Sequence, residues 1–255
     1  MGRLASDGVY LYLADGLNGL LRFDTHGRKA PFSDHAEIRR EKPHSVAVDL
    51  KGNLYTSDDQ ATRKYRPDGS RFTGWGAGGA LAGGGRVGVA PDGSCYVGKG
   101  EAVRKYRPDG SPEPAFGEDG ALILFRNIFN LDVDRDGNLY VADYTGDELY
   151  SGVRAFTPVG DCLAQYGDAS LYGKRRAGSV RVLGDRVYTC TWGNDLFTFA
   201  RVTRAARERA AYLLAAEAGQ APKIDGKLDE AAWKETPWVP LVANREGADT
   251  REATE

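Results

Sequence analysis

The stretch that decides the fold is SVAVDLKGNLYTSD, residues 45–58, which returns in closely similar form as NLDVDRDGNLYVAD at residues 130–143. Each copy begins with alternating apolar residues, passes through a turn that contains glycine and continues as a second alternating segment. Alternation with a period of two places one set of side chains on one face of a strand. Both copies therefore predict a pair of short antiparallel strands joined by a tight turn.

Three other segments share this pattern: ASDGVYLYLADG (5–16), APDGSCYVGKGE (90–101) and VLGDRVYTCTWG (182–193). When the five segments are aligned, one tyrosine of each falls in register, with separations of 41 to 48 residues along the chain. A second aromatic series follows with a similar spacing. The first series is Tyr12, Tyr55, Tyr96, Tyr140 and Tyr188, and the second is Phe23, Tyr65, Tyr106, Phe156 and Phe199.

Each repeat has room for four short strands. A second turn, such as Pro67-Asp68-Gly69, follows the second aromatic residue, and an aromatic-glycine pair such as Trp75-Gly76 comes after it. One small sheet of this size cannot bury both faces, so repeated sheets must stack on one another. We predict an all-β fold in which residues 1–200 form a β-propeller of four-stranded antiparallel blades. The first series of tyrosines is predicted to be buried between blades.

The repeat resembles the NHL repeat. The resemblance covers about residues 2–200 and rests on SVAVDLKGNLYTSD followed by TRKYRPDG, and on NLDVDRDGNLYVAD followed by VRAFTPVG. Five repeats are visible, whereas NHL-like propellers often close with six blades. The resemblance therefore implies a sixth blade outside this chain.

A different pattern begins after the repeats. Residues 222–238, PKIDGKLDEAAWKETPW, contain a turn pair and then a helix start at Asp229, with Leu228 and Trp233 placed to pack on each other. This run resembles the beginning of a carbohydrate-binding module of family 9. The resemblance implies that residues 222–255 are the first part of an incomplete β-sandwich, without its sugar-binding face. Residues 201–221 are predicted to be a linker, either helix or strand.

Composition limits the classes of partner. The net charge is -2 with mixed signs, so no basic surface for nucleic acid is predicted. No apolar run reaches the roughly 18 residues that a membrane span needs, and no signal peptide is visible. We expect a monomer without membrane insertion, and the domain types suggest an extracellular or periplasmic protein. Cys95, Cys162 and Cys190 are predicted to be free thiols without metal-ligand spacing.

Binding residues are expected where the repeat is broken, because loops that differ between blades meet at the mouth of the channel. Acidic residues that recur in equivalent places, namely Asp15, Asp58 and Asp143, are instead interpreted as organisers of strand connections. His44 and Asn130 enter strands at similar positions. The predicted ligand-binding residues are His44, Arg126, Asn127, Asn130, Tyr144 and Asp147.

Two classes of function remain open from the sequence. The first is a non-catalytic recognition module for a carbohydrate or protein ligand, with no catalytic residue, metal site or cofactor. The alternative is a propeller enzyme, a lactonase-like hydrolase or a lyase, with a divalent metal at the channel mouth. The regularity of the repeats and the presence of only three histidines favour the first class.

Overall fold

A computed structural model of the protein describes residues 3–144, 152–167, 177–191 and 195–203. This part of the chain is all-β apart from a 3₁₀ helix at Glu37–Arg40. In chain order its strands are β1 (Arg3–Ser6), β2 (Leu11–Asp15), β3 (Gly19–Phe23), β4 (Ser45–Val48), β5 (Leu54–Ser57), β6 (Ala61–Tyr65), β7 (Ala80–Ala82), β8 (Arg86–Val89), β9 (Cys95–Lys99), β10 (Ala102–Tyr106), β11 (Ala121–Ile123), β12 (Ile128–Val133), β13 (Leu139–Asp143), β14 (Gly152–Phe156), β15 (Cys162–Tyr166), β16 (Ala177–Leu183), β17 (Arg186–Thr191) and β18 (Leu196–Ala200).

These strands form five antiparallel sheets, each made of strands that are consecutive in the chain. Blade I is β1–β3, blade II is β4–β7, blade III is β8–β11, blade IV is β12–β15 and blade V is β16–β18. The three middle blades have four strands, and the first and last have three within the described residues. The prediction of a β-propeller with five antiparallel blades is confirmed.

The first strand of every blade lies at the centre of the propeller. β1, β4, β8, β12 and β16 follow one another around a central channel, and each packs against the next. Between β1 and β16 the packing is weaker, although Arg3 Nη1 donates a long hydrogen bond of 3.5 Å to the carbonyl oxygen of Gly178. Residues from all five inner strands line a cavity of about 530 Å³.

The registered tyrosines hold neighbouring blades together. Tyr55, Tyr96 and Tyr140 are completely buried, as predicted. Tyr55 meets Trp75 edge-on with ring centroids 5.6 Å apart, a geometry that aromatic pairs prefer. The hydroxyl groups are also used, since that of Tyr140 donates to Asp134 at 3.1 Å in the hairpin of its own blade. The period of the sequence therefore records a packing contact that the three middle blades repeat.

The aromatic-glycine pairs connect one blade to the following one. The amide of Gly76 in blade II donates to the carbonyl oxygen of Asp109 in blade III at 2.9 Å. A side chain on Gly110 would meet the backbone nitrogen of Gly76 at 2.4 Å, so only glycine allows the two turns to approach this closely. Gly117 and Gly160 repeat the arrangement between blades III and IV.

One face of blade I is not covered by another blade in the described part of the chain. Leu4 is 59% exposed, whereas Val46, which occupies the same position in blade II, is 5% exposed. On blade V, Tyr188 is only half-buried although its counterparts are completely buried. The first and last sheets therefore present apolar residues that the three middle blades keep inside.

Several predictions fall outside the described residues. They concern most of the linker (204–221), the segment at 222–255 with its Leu228–Trp233 contact, and Asp147. Among the described residues, no helix has the length and apolar character needed to cross a membrane. Cys95 and Cys190 have free thiols, and that of Cys95 is buried.

Candidate functional site

The channel has two different ends. One end is formed by the glycine turns that join the first and second strands of each blade. The other end, called the mouth here, is formed by the beginnings of the inner strands and by the loops between second and third strands. Strand pairing places one residue of each inner strand at the same level of the mouth. We call this set the mouth ring, and its members are Arg3, Ser45, Arg86, Asn130 and Ser179.

Two members of the mouth ring bind the backbone of the next blade. Ser45 Oγ accepts a hydrogen bond of 3.1 Å from the amide of Val87. Asn130 Oδ1 accepts one of 3.0 Å from the amide of Val180. Asn130 therefore lies in the channel wall, as its sequence position suggested, and its carbonyl group is already used to join β12 to β16. Its role in ligand binding stays a prediction.

His44 lies on the rim, directly before the mouth ring. Its imidazole packs over Gly16, where an added Cβ would come within 2.7 Å of the ring. His44 Nε2 is 3.7 Å from a carboxylate oxygen of Asp59, and the His44 side chain is 45% exposed. Lys99 Nζ donates to the backbone oxygen of Asp59 at 2.9 Å, which fixes the loop that carries the carboxylate. A titratable base is thus held beside an acid at the opening of the channel.

Two arginines of the mouth ring bring positive charge to the same opening. Arg3 lines the cavity, and Arg86 begins the inner strand β8. Burial and the positive charge of Arg86 lower the pKa of Arg3 from 12.5 to about 10. Burial lowers the pKa of Arg86 as well, and the nearby Asp59 carboxylate opposes that decrease. Arg3, Arg86, Asp59 and Lys99 are not among the ligand-binding residues predicted from the sequence.

Deeper in the channel, the buried carboxylate of Asp132 pairs with an arginine whose side chain is half exposed. Asp132 accepts a hydrogen bond of 2.6 Å from the amide of Val182 and pairs with Arg181 at 3.2 Å. Burial raises the pKa of Asp132 from 3.8 to about 6, although Arg181 and the Val182 amide oppose the increase. Like Asn130, this side chain binds β12 to β16 and so supports the wall of the cavity.

The predicted residues on blade IV form a separate group. The amides of Arg126 and Asn127 donate to Asp143 Oδ1 at 3.3 and 2.8 Å, and the amide of Tyr144 donates to the Asn127 carbonyl oxygen at 3.3 Å. Asp143 is fully buried and also pairs with Arg154 at 2.9 Å. Asp143 therefore organises the loop before its blade, whereas Asp15 and Asp58 accept amide hydrogen bonds within their own turns.

The described residues do not fit the divalent metal of the enzyme alternative. No group of three or more His, Cys, Asp or Glu side chains converges in this part of the chain. In the channel wall, the amide oxygen of Asn130 and the carboxylate of Asp132 are engaged by backbone amides of β16. We therefore derive no reaction step through a metal.

No protein-family model and no curated protein sequence matches the chain. Solved structures match its fold. A chain of the mitotic checkpoint complex is 11% identical with a TM-score of 0.55, over 79% of this chain and 61% of that one. A gluconolactonase from Xanthomonas campestris is 15% identical with a TM-score of 0.51, over 75% of this chain and 68% of that one. A structural-genomics target named as a gluconolactonase is 17% identical with a TM-score of 0.50, over 76% and 72% of the two chains.

At these identities the likeness shows the fold alone, and one fold hosts many functions. The prediction of a non-catalytic recognition module is nevertheless wrong on this comparison. Two of the similar propellers carry the name of a lactone-hydrolysing enzyme, which favours the enzyme alternative. The NHL and carbohydrate-binding resemblances gain no support from the comparisons and stay predictions.

The raised pKa of Asp132 gives a test of the channel wall. The folded protein holds this proton more strongly than the unfolded chain, so stability from this group is lost as pH rises from about 4 to about 6. We expect Asp132→Asn to gain stability relative to the wild type between those pH values, as measured by urea unfolding. Asp161→Asn, in an exposed turn, is the control. A wild-type to Asp132→Asn difference that does not change with pH would contradict the assignment.

Proposed function

We propose that this propeller belongs to a hydrolase of cyclic esters and that the reaction takes place at the channel mouth. The observation that carries the proposal is the His44 imidazole held 3.7 Å from the Asp59 carboxylate, beside a cavity with positive charge. The fold shared with gluconolactonases adds support as an analogy. The His44 side chain is 45% exposed, and the next residue, Ser45, lines the cavity.

Ester hydrolysis at neutral pH needs a base that removes a proton from water. In the proposed reaction, His44 Nε2 carries its hydrogen toward Asp59, and the other ring nitrogen, Nδ1, takes the proton from water while the water oxygen forms a bond to the ester carbonyl carbon. The carbon–oxygen bond of the ring then breaks, and the imidazolium returns its proton to the departing ring oxygen. The product is a hydroxy acid, which releases its carboxyl proton to solvent. His44 is thereby returned to its neutral form.

The other groups of the mouth would assist this reaction by their charge. The Asp59 carboxylate stabilises the imidazolium and orients the ring, because an opposite charge nearby favours the protonated base. The Asp59 carboxylate opposes the lowering of the Arg86 pKa, which places the two side chains near each other. The Arg86 guanidinium can stabilise the oxyanion that forms on the carbonyl oxygen.

The test is the release of acid from a panel of five- and six-membered lactones, followed at constant pH by titration with base. The folded wild-type protein is expected to release acid from at least one of them faster than buffer does. Catalysis should be absent after heat denaturation. A folded protein that accelerates none of these hydrolyses would contradict the proposal.

We also propose that the NHL-like propeller is followed by a linker at 201–221 and by the start of a family 9-like carbohydrate-binding module at 222–255, in an exported protein. The motif at 222–238 supports this order. If it is correct, deleting residues 220–255 will leave the melting temperature of the propeller unchanged, because few contacts cross a domain boundary. A large decrease would show that the segment belongs to the propeller.

A further inference from the structure

We propose that the channel mouth binds the carboxylate of a small organic acid between Arg3 and Arg86. The binding of a carboxylate follows from the residues of the channel alone. Its identification as the hydroxy acid released by lactone opening rests on the proposed function.

The guanidinium groups of Arg3 and Arg86 have few hydrogen-bond partners. Arg3 Nε is buried without a hydrogen-bond partner among the described residues, and Arg3 Nη1 makes only the 3.5 Å contact to Gly178. Within the same part of the chain, the Arg86 guanidinium has no hydrogen bond or ion pair. A buried donor without a partner is costly, so a site that leaves these donors open is suited to a ligand that accepts hydrogen bonds.

The charged side chains of the mouth ring are all positive. The mouth ring has two arginines and no acid, because its other members are Ser45, Asn130 and Ser179. One level deeper, Asp132 is neutralised by Arg181. Asp59, the acid whose charge acts on Arg86, is 79% exposed and faces His44. The positive charge of Arg86 acts unfavourably on Arg3, which lines the cavity, so an anion between the two guanidinium groups would offset their repulsion.

The size and the apolar walls of the cavity suit a small organic molecule. About 530 Å³ is within the range of pockets that hold small organic molecules and is far larger than an inorganic ion needs. The walls include apolar side chains from four inner strands, which suit a carbon skeleton: Val46, Val87, Leu131 and Val180. Planar guanidinium groups bind carboxylates through two parallel hydrogen bonds, which favours an organic acid over a point-like anion.

Isothermal titration calorimetry with sodium gluconate tests this site, and sorbitol is the matched probe because it has the same number of carbons without the carboxylate. At constant ionic strength the wild type is expected to bind gluconate and not sorbitol. Arg3→Gln and Arg86→Gln should each weaken gluconate binding at least about tenfold, the loss of one charge-assisted pair. Arg86→Lys, which keeps the charge, should lose less. Arg135→Gln removes an exposed arginine from a hairpin at the opposite end and should bind gluconate like the wild type.

The outcomes separate this inference from the proposed function. Gluconate binding that depends on Arg3 and Arg86, without hydrolysis of any lactone, would support the inference and contradict the proposed function. Lactone hydrolysis by a protein whose gluconate affinity is unchanged in both glutamine variants would overturn the inference alone. Equal affinity for sorbitol, or for inorganic phosphate, would also overturn it. Circular dichroism of each variant tests whether the fold is kept. Because each glutamine variant removes the repulsion between Arg3 and Arg86, its melting temperature should be at or above that of the wild type.

Discussion

Replacing Tyr140 by alanine is expected to lower the free energy of unfolding by about 3–5 kcal/mol, the range found for large buried aromatic residues. The ring is completely buried against Tyr166, with centroids 6.1 Å apart, and its hydroxyl donates to Asp134. The substitution would leave a cavity between blades IV and V and would remove a hydrogen bond from a carboxylate that also pairs with Arg201. Urea unfolding at constant pH measures the loss.

The propeller itself supplies the matched control for this prediction. Tyr188 occupies the same place in the repeat of blade V, but no blade covers it in the described part of the chain and it is half-buried. Tyr188→Ala should therefore cost clearly less than Tyr140→Ala. Tyr140→Phe separates the hydroxyl group from the ring and should cost on the order of 1 kcal/mol. Equal losses for Tyr140→Ala and Tyr188→Ala would show that burial between blades does not explain the register of the tyrosines.

The largest effect on activity is expected from His44→Ala, which should lower kcat/KM for lactone hydrolysis by about 10²–10⁴-fold, the usual contribution of general-base catalysis. The imidazole is exposed and its loss opens no cavity, so the melting temperature should hardly change. Added imidazole in solution should restore part of the activity, which a merely structural role would not allow. Initial rates of acid release give these values.

Two variants complete this experiment. Asp59→Asn keeps the size of the side chain but removes the charge that favours the imidazolium, so a smaller decrease than that of His44→Ala is expected. His35→Ala changes a histidine in the segment between β3 and the 3₁₀ helix and should leave kcat/KM unchanged. If His35→Ala and His44→Ala lowered the rate equally, His44 would not be the base.

The fold could be predicted from the sequence because its repeating contact uses the same residue type in every blade. Tyr55, Tyr96 and Tyr140 are buried for one physical reason, so their spacing along the chain reveals the length of a blade. The short glycine turns likewise recur because each blade needs them in the same place. What the sequence did not show is that Tyr188 is only half-buried, since burial there depends on a following blade and not on the repeat itself.

The site was predicted less completely because its residues differ between blades. His44 and Asn130 were predicted because the repeat is interrupted there, and their role in ligand binding stays a prediction, whereas Arg86 follows a run of glycines without any motif. A signal was nonetheless present: aligning the repeats on their tyrosines places Ser45, Arg86 and Asn130 at one equivalent position, and Arg3 one residue away from it. Asp59 could not be linked to His44 from sequence, because the contact joins two loops of blade II whose distance depends on how the blade folds.

Binding of small molecules at the mouth can be observed by nuclear magnetic resonance. In a titration of the ¹⁵N-labelled protein with gluconate, we expect amide shift changes at Ser45, Arg86 and their neighbours on the inner strands. The glycines of the hairpins at the opposite end, such as Gly52, Gly93 and Gly137, should keep their resonance positions. Shift changes confined to those hairpin glycines, with the amides of the mouth ring unaffected, would contradict the account.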